Sequence, residues 1–120
     1  MGGAGPAALA SSGTARRLEE QQFGLGEGPT RDAHTARRPV VEADLEAAGW
    51  RRWPGFSPVA SDAGVGAVGA LPLQVGVVIF SVLTLYFPKS RPLAAKEVDR
   101  ALEFAEFTTD LLVNNAVTET

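Results

Sequence analysis

The hydrophobic and polar positions mark one long apolar run in the second half of the chain. No charged residue occurs from Ala63 to Phe87. The run is interrupted at Val75 and Gly76, and its second half is rich in β-branched and aromatic residues, as strands are. This pattern predicts two antiparallel strands, Val65 to Gln74 and Val77 to Phe87, with a turn near Gly76.

The same run is long enough to cross a bilayer as one helix, because about 20 apolar residues suffice. Pro72, Gln74 and several interior glycines oppose such a helix. We therefore favour the strand pair and expect no membrane partner. A membrane-spanning helix is the alternative for this segment.

The residues after Pro92 predict one amphipathic helix. At about 100° per residue, its apolar positions form a broad arc that we expect to face the sheet: Val98, Ala101, Leu102, Ala105, Thr108, Leu112 and Ala116. Phe104, Phe107 and Leu111 form a second apolar strip at the edge of the polar face. A helix that packs on a single sheet does not need this strip. The strip therefore predicts an interface with a second copy of the chain or with another protein.

Shorter elements are predicted in the first half of the chain. Ala15 to Gln22 has helical composition, with Thr14 as its N-cap, and a glycine turn follows. The other predicted elements are a helix from Pro29 to Arg37, a strand from Pro39 to Glu42, a helix from Asp44 to Ala48 that Gly49 ends, and a loop or short helix from Arg51 to Ala60. Together, the elements predict an α+β fold with an antiparallel sheet and flanking helices.

Composition narrows the classes of function. A chain of 120 residues has room for one domain, and its net charge of −3 offers no basic surface for nucleic acid. The absence of cysteine excludes disulfides, thiolate metal sites and cysteine nucleophiles, and it agrees with a cytoplasmic location. Met1 to Ser12 is rich in small residues and has no basic start, so it predicts a disordered tail rather than a signal peptide.

Candidate catalytic residues are few. His34 is the single histidine, and no second ligand or nucleophile is placed near it, so we interpret it as a surface residue. Glu42 and Asp44 lie two residues apart and would share one face of a continuing strand, where paired carboxylates can transfer protons. Capping of the following helix is the favoured role of Asp44. We expect no catalytic residue, no metal site and no cofactor.

Five short motifs, each weak alone, occur in a specific order: GEGP at Gly26–Pro29, RPV at Arg38–Val40, WPGF at Trp53–Phe56, LPLQVG at Leu71–Gly76 and LTLY at Leu83–Tyr86. In this order they resemble the GAF domains of actinobacterial signalling proteins, which are often fused to an ANTAR RNA-binding module. The resemblance covers roughly residues 16–117. It implies a GAF-like domain at residues 15–117, flanked by tails at 1–14 and 118–120. It also implies that the N-terminal helix, two strands and the ANTAR module are missing.

The resemblance further implies a cytoplasmic sensory or regulatory module that is not an enzyme and that binds a small ligand or a partner protein. In GAF folds the ligand lies beneath the segment that holds Trp53 and Phe56. We therefore take these two residues, with Asp44, as candidate ligand-binding residues. Two bulky aromatic rings can equally fill that pocket. The alternative function is a ligand-free dimerisation module, or a truncated remnant, that pairs through Phe104, Phe107 and Leu111 of the last helix.

Overall fold

The computed structural model describes residues 13–104, 106 and 107, with the backbone alone at Val75 and Phe80. The elements follow in this order: α1 (Gly13–Leu25), α2 (Pro29–Ala36), β1 (Val40–Glu42), a π-helical turn (Leu45–Gly49), α3 (Trp50–Arg52), α4 (Phe56–Asp62), β2 (Ala67–Val75), β3 (Val78–Phe87) and α5, described at residues 95–104, 106 and 107. Helices flank an antiparallel sheet, so the predicted α+β fold is confirmed.

The sheet has three strands in the order β1-β2-β3, all antiparallel. The predicted strand pair is confirmed, since β2 and β3 form a hairpin with a register shift after Leu73. Gly76 makes the turn with a φ of 60°, a left-handed conformation that glycine adopts without steric cost. In the part of the chain that the structure describes, no helix is both long and apolar enough to span a membrane.

The two faces of the sheet are covered by different helices. Alternation along the strands places Val68, Ala70 and Val82 on one face, which we call the inner face. Helices α1, α2 and α4 pack on this side, and Leu18 of α1 belongs to the same core. Gly69 and Leu71 lie on the opposite, outer face, where α5 crosses the sheet.

The segment between β3 and α5 is fixed to the end of the sheet. The Arg91 amide donates a hydrogen bond to the Ala43 carbonyl at 2.9 Å, and the Gly66 amide donates to the Phe87 carbonyl at 2.8 Å. A Cβ atom on Gly66 would lie 2.3 Å from the backbone nitrogen of Ser90, so only glycine lets the segment pass this closely. These contacts bring α5 over the outer face.

Three local predictions were wrong. Thr14 is not an N-cap, since α1 begins at Gly13, and α1 also continues through Gly24 to Leu25. Gly49 does not end a helix, because the π-helical turn continues directly into α3. One glycine in a helix interior lowers the stability of the helix by about 1 kcal/mol relative to alanine, and tertiary packing can offset this loss. At Gly49 a Cβ atom would lie 2.7 Å from Ser57 Oγ, so this glycine permits close packing instead.

Most of the predicted tails cannot be compared with the structure. Residues 1–12 and 118–120, and the predicted domain end at residue 117, lie outside the described residues. Gly13 and Thr14, which the prediction assigned to the tail, are the first residues of α1.

Candidate functional site

The two aromatic residues predicted to line a ligand pocket are buried in the core. Trp53 is 1% exposed and Phe56 is 0% exposed. Their rings meet edge to face, with centroids 6.3 Å apart and an interplanar angle of 88°. Both belong to the same buried cluster as Leu18 and Val68. This packing favours the interpretation that the two rings fill the space beneath the segment.

Hydrogen bonds from two other elements hold this aromatic segment in place. Trp53 Nε1 donates to Asp32 Oδ2 of α2 at 2.9 Å. Glu27 Oε2 accepts from the amides of Gly55 and Phe56, at 2.7 and 2.9 Å, and thereby caps the start of α4. A carboxylate at a helix N-terminus also has a favourable interaction with the helix dipole. Glu27 of the GEGP motif therefore has a structural role.

Gly28 of the same motif has a conformation that requires glycine. Its φ of 142° and ψ of 168° lie in a region that other residues avoid. A Cβ atom there would also lie 2.2 Å from the buried Gln22 side chain. Pro29 then occupies the first turn of α2, where no amide hydrogen is needed. The GEGP turn thus sets the path from α1 into α2.

Asp44 caps the π-helical turn, as the favoured interpretation predicted. Its Oδ1 accepts from the Ala47 amide at 3.0 Å, and its own amide donates to Glu42 Oε2 at 3.1 Å. Glu42 also forms an ion pair with Arg52 at 3.3 Å, and the Arg52 guanidinium stacks 4.5 Å above the Trp53 ring. Asp44 is therefore linked to the aromatic segment indirectly, through Glu42 and Arg52, and both carboxylates have structural partners.

A polar cluster that was not predicted from the sequence lies between α1, α2 and β3. We use the name polar cluster for Glu19, Gln22, Thr30, Thr84 and Tyr86. Gln22 Nε2 donates to Tyr86 Oη at 2.9 Å and to Thr30 Oγ1 at 3.1 Å. Gln22 Oε1 accepts from the Thr30 amide at 2.8 Å. The hydroxyl groups of Thr30 and Thr84 lie 2.6 Å apart. The cluster thereby joins two helices to the last strand.

Glu19 is the ionisable centre of the polar cluster. Its Oε2 accepts from the hydroxyl groups of Thr30 and Tyr86. Burial raises the pKa of Glu19, and these two hydrogen bonds partly oppose the rise. Burial and the neighbouring Glu19 charge also raise the pKa of Tyr86. The Thr30 hydroxyl is buried and has several hydrogen-bond partners, so it is poorly placed to attack a substrate.

The polar cluster left a weak signal in the sequence. Thr84 is a polar residue within an apolar strand, and Gln22 lies one helical turn after Leu18 on the buried side of α1.

His34 is exposed, as expected. Within the described ranges, no group of three or more histidine and acidic residues is placed to hold a metal ion.

The predicted interface residues of α5 are exposed where the structure describes them. Phe104 is 63% exposed and Phe107 is 61% exposed. Leu111, the third residue of the predicted strip, lies outside the described residues, as do Ala105 and Leu112 of the main arc. Val98 and Leu102 of that arc are partly buried, and Val98 faces the sheet across a groove.

That groove lies on the outer face of the sheet and has a volume of about 230 Å³. Its walls come from all three strands, from Leu93 in the segment before α5 and from α5 itself, and they are almost entirely apolar. Trp53 and Phe56 are not among the residues that line it. The predicted ligand-binding residues and this groove therefore lie in different parts of the molecule.

Comparison with known proteins supports the fold alone. No family model and no curated protein matches the chain. A solved structure described as a domain of a two-component sensor histidine kinase protein from Sinorhizobium meliloti 1021 superposes with a TM-score of 0.56 at 18% sequence identity. The match covers 64% of this chain and 52% of that domain, so the chain spans about half of the domain's length.

Proposed function

We propose that this chain is a GAF-like, non-enzymatic regulatory module of cytoplasmic signal transduction, and that it acts by pairing with a second copy of itself through α5. The observation that carries the proposal is the exposure of Phe104 and Phe107, three residues apart on one edge of this helix. Burying each side chain fully would contribute about 1.5–3 kcal/mol. Two such side chains side by side are typical of a contact surface.

The spacing of the two phenylalanines supports a second copy as the partner. Phe104 and Phe107 are both exposed and lie about one helical turn apart on α5. In a two-fold antiparallel pair of helices centred between these two positions, Phe104 of one copy would lie opposite Phe107 of the other. The apolar edge of α5 is therefore complementary to itself in such a pair.

Two further observations support a regulatory role. The fold is similar to that of a domain described as part of a sensor histidine kinase protein, which supports a signalling context by analogy of fold. The filled core around Trp53 and Phe56 favours a module that binds no ligand beneath that segment. Regulation through association of subunits fits both observations.

Sedimentation equilibrium tests this proposal. We expect the wild-type chain to be a dimer at micromolar concentration and the Phe104→Asp/Phe107→Asp variant to be a monomer with unchanged circular dichroism. Phe23→Asp is the matched control, because Phe23 of α1 is 56% exposed on a different helix. The control variant should remain a dimer. A wild-type monomer at high micromolar concentration, or a dimer that survives both substitutions, would contradict the proposal.

A further inference from the structure

The backbone conformation at Gly69 does not require glycine. Gly69 lies in the interior of β2, where glycine weakens a strand and often marks the close approach of a ligand or another chain. Its φ is outside the positive range, so other residues can adopt its conformation. A Cβ atom there would lie 3.9 Å from Leu93 Cδ1, an ordinary contact. Gly66 differs, since backbone atoms block its Cβ position.

The missing side chain at Gly69 opens the floor of the outer-face groove. Leu71 and Leu85 lie beside Gly69 on this face, and Leu93 and Val98 form the opposite wall. An apolar cavity of about 150 Å³ stays dry and holds benzene. The volume of about 230 Å³ therefore suits a molecule of one or two rings. It lies below the volume of about 300 Å³ at which sites for drug-sized ligands begin.

One ion pair lies at the rim of this groove. Glu97 lines the groove and pairs with Arg91, whose guanidinium lies 5.0 Å from the centroid of the Phe87 ring. Both charged side chains are partly exposed. The pair is neutral as a whole, and it offers hydrogen-bond donors on Arg91 and acceptors on Glu97. A charged ligand would be attracted by one member of the pair and repelled by the other, and it would lose hydration in the apolar groove. A neutral polar group loses less hydration and can form a hydrogen bond with either member.

We propose that this groove binds a small neutral apolar molecule of one or two rings, with its body over Gly69 and one polar group at the Arg91–Glu97 pair. This site goes beyond the proposed function and does not depend on pairing through α5. It is also separate from the segment that contains Trp53 and Phe56.

Indole is a suitable probe, because it is an apolar two-ring molecule with a single N–H donor. Titration followed by ¹H–¹⁵N NMR should show saturable shifts at the amides of Gly69, Leu85 and Val98. Benzyl alcohol and benzoate form a pair of matched size, and the neutral alcohol should bind at least tenfold more tightly. Equal affinities would contradict the neutral site. Shifts centred on Trp53 and Phe56 would overturn the proposal.

Substitutions of Gly69 and Ala101 test the location. Gly69→Leu should fill the groove and weaken indole binding at least tenfold, and Ala101→Leu should do the same from the helix. Gly24→Leu is the control, because a Cβ atom at Gly24 meets nothing within 4 Å. Unchanged affinity in a folded groove variant would overturn the proposal. The Phe104→Asp/Phe107→Asp variant should bind indole as the wild type does, which separates this test from that of self-association.

Discussion

The two faces of the sheet differ in how completely the helices cover their apolar surface. On the inner face, Trp53 and Phe56 are packed into a core, and the polar cluster joins α1, α2 and β3. On the outer face, α5 leaves an open groove over Gly69 and exposes Phe104 and Phe107. The difference teaches that the GEGP and WPGF motifs, which contribute to the resemblance to a GAF domain, act mainly in packing on the inner face. The surfaces proposed for binding lie on the outer face and on α5.

The largest expected effect comes from the inner face. Trp53→Ala would remove a side chain that is almost fully buried and hydrogen-bonded to Asp32, which should destabilise the fold by about 3–5 kcal/mol. Trp50→Ala is the control three residues away, since Trp50 is largely exposed, and it should cost less than about 1 kcal/mol. Urea unfolding measures both values. Equal losses would show that the Trp53 site is not a packed core.

The next largest effects are expected at Gly28 and Gly69, where substitution by alanine should change the stability of the fold in opposite directions. Gly28→Ala should destabilise the protein by about 2 kcal/mol or more, because the backbone is strained for alanine and Gln22 occupies the Cβ position. Gly69→Ala should instead stabilise it by about 0.4–1 kcal/mol, because the strand conformation suits alanine and the groove has space. Thermal unfolding of both variants would test this contrast. A destabilising Gly69→Ala would mean that the outer face is packed more tightly than the structure shows.

The smallest expected effect is a pH dependence of the inner face. Because the pKa of Glu19 is raised in the folded state, its contribution to stability is complete below the unfolded value of 4.5 and is lost as the pH rises through the folded pKa. Glu19→Gln should remove this loss, since an amide oxygen can accept the same hydrogen bonds. Urea unfolding at a series of pH values above 4.5 would measure it. Parallel pH curves for the two proteins would contradict the raised pKa.

Part of the fold could be predicted because it depends on local signals. The β2–β3 hairpin follows from β-branched residues on both sides of a glycine turn at Gly76. The exposure of Phe104 and Phe107 follows from the helical periodicity of α5. Gly49 shows the limit of such signals, since close packing against Ser57 overrides its expected helix-ending role.

The candidate sites could not be predicted from local sequence patterns, because they depend on contacts between residues that are far apart in the chain. Gln22 and Tyr86 of the polar cluster are 64 residues apart in the chain, and only the folded sheet brings them together. The groove at Gly69 likewise requires knowledge of how α5 crosses the outer face. In the aromatic segment, sequence alone could not decide between a lined and a filled pocket, because both use the same bulky residues.

An intermolecular distance measurement tests pairing through α5 most directly. The chain has no cysteine, so a spin label can be placed at one introduced cysteine. Labels would be placed in separate variants at Glu103, beside the exposed phenylalanines, and at Val77, which is exposed at the hairpin turn far along the chain. Pairing through α5 predicts a short, well-defined distance between the labels of two copies for Glu103→Cys and a longer distance for Val77→Cys. No coupling at either position, or a shorter distance at Val77, would contradict it.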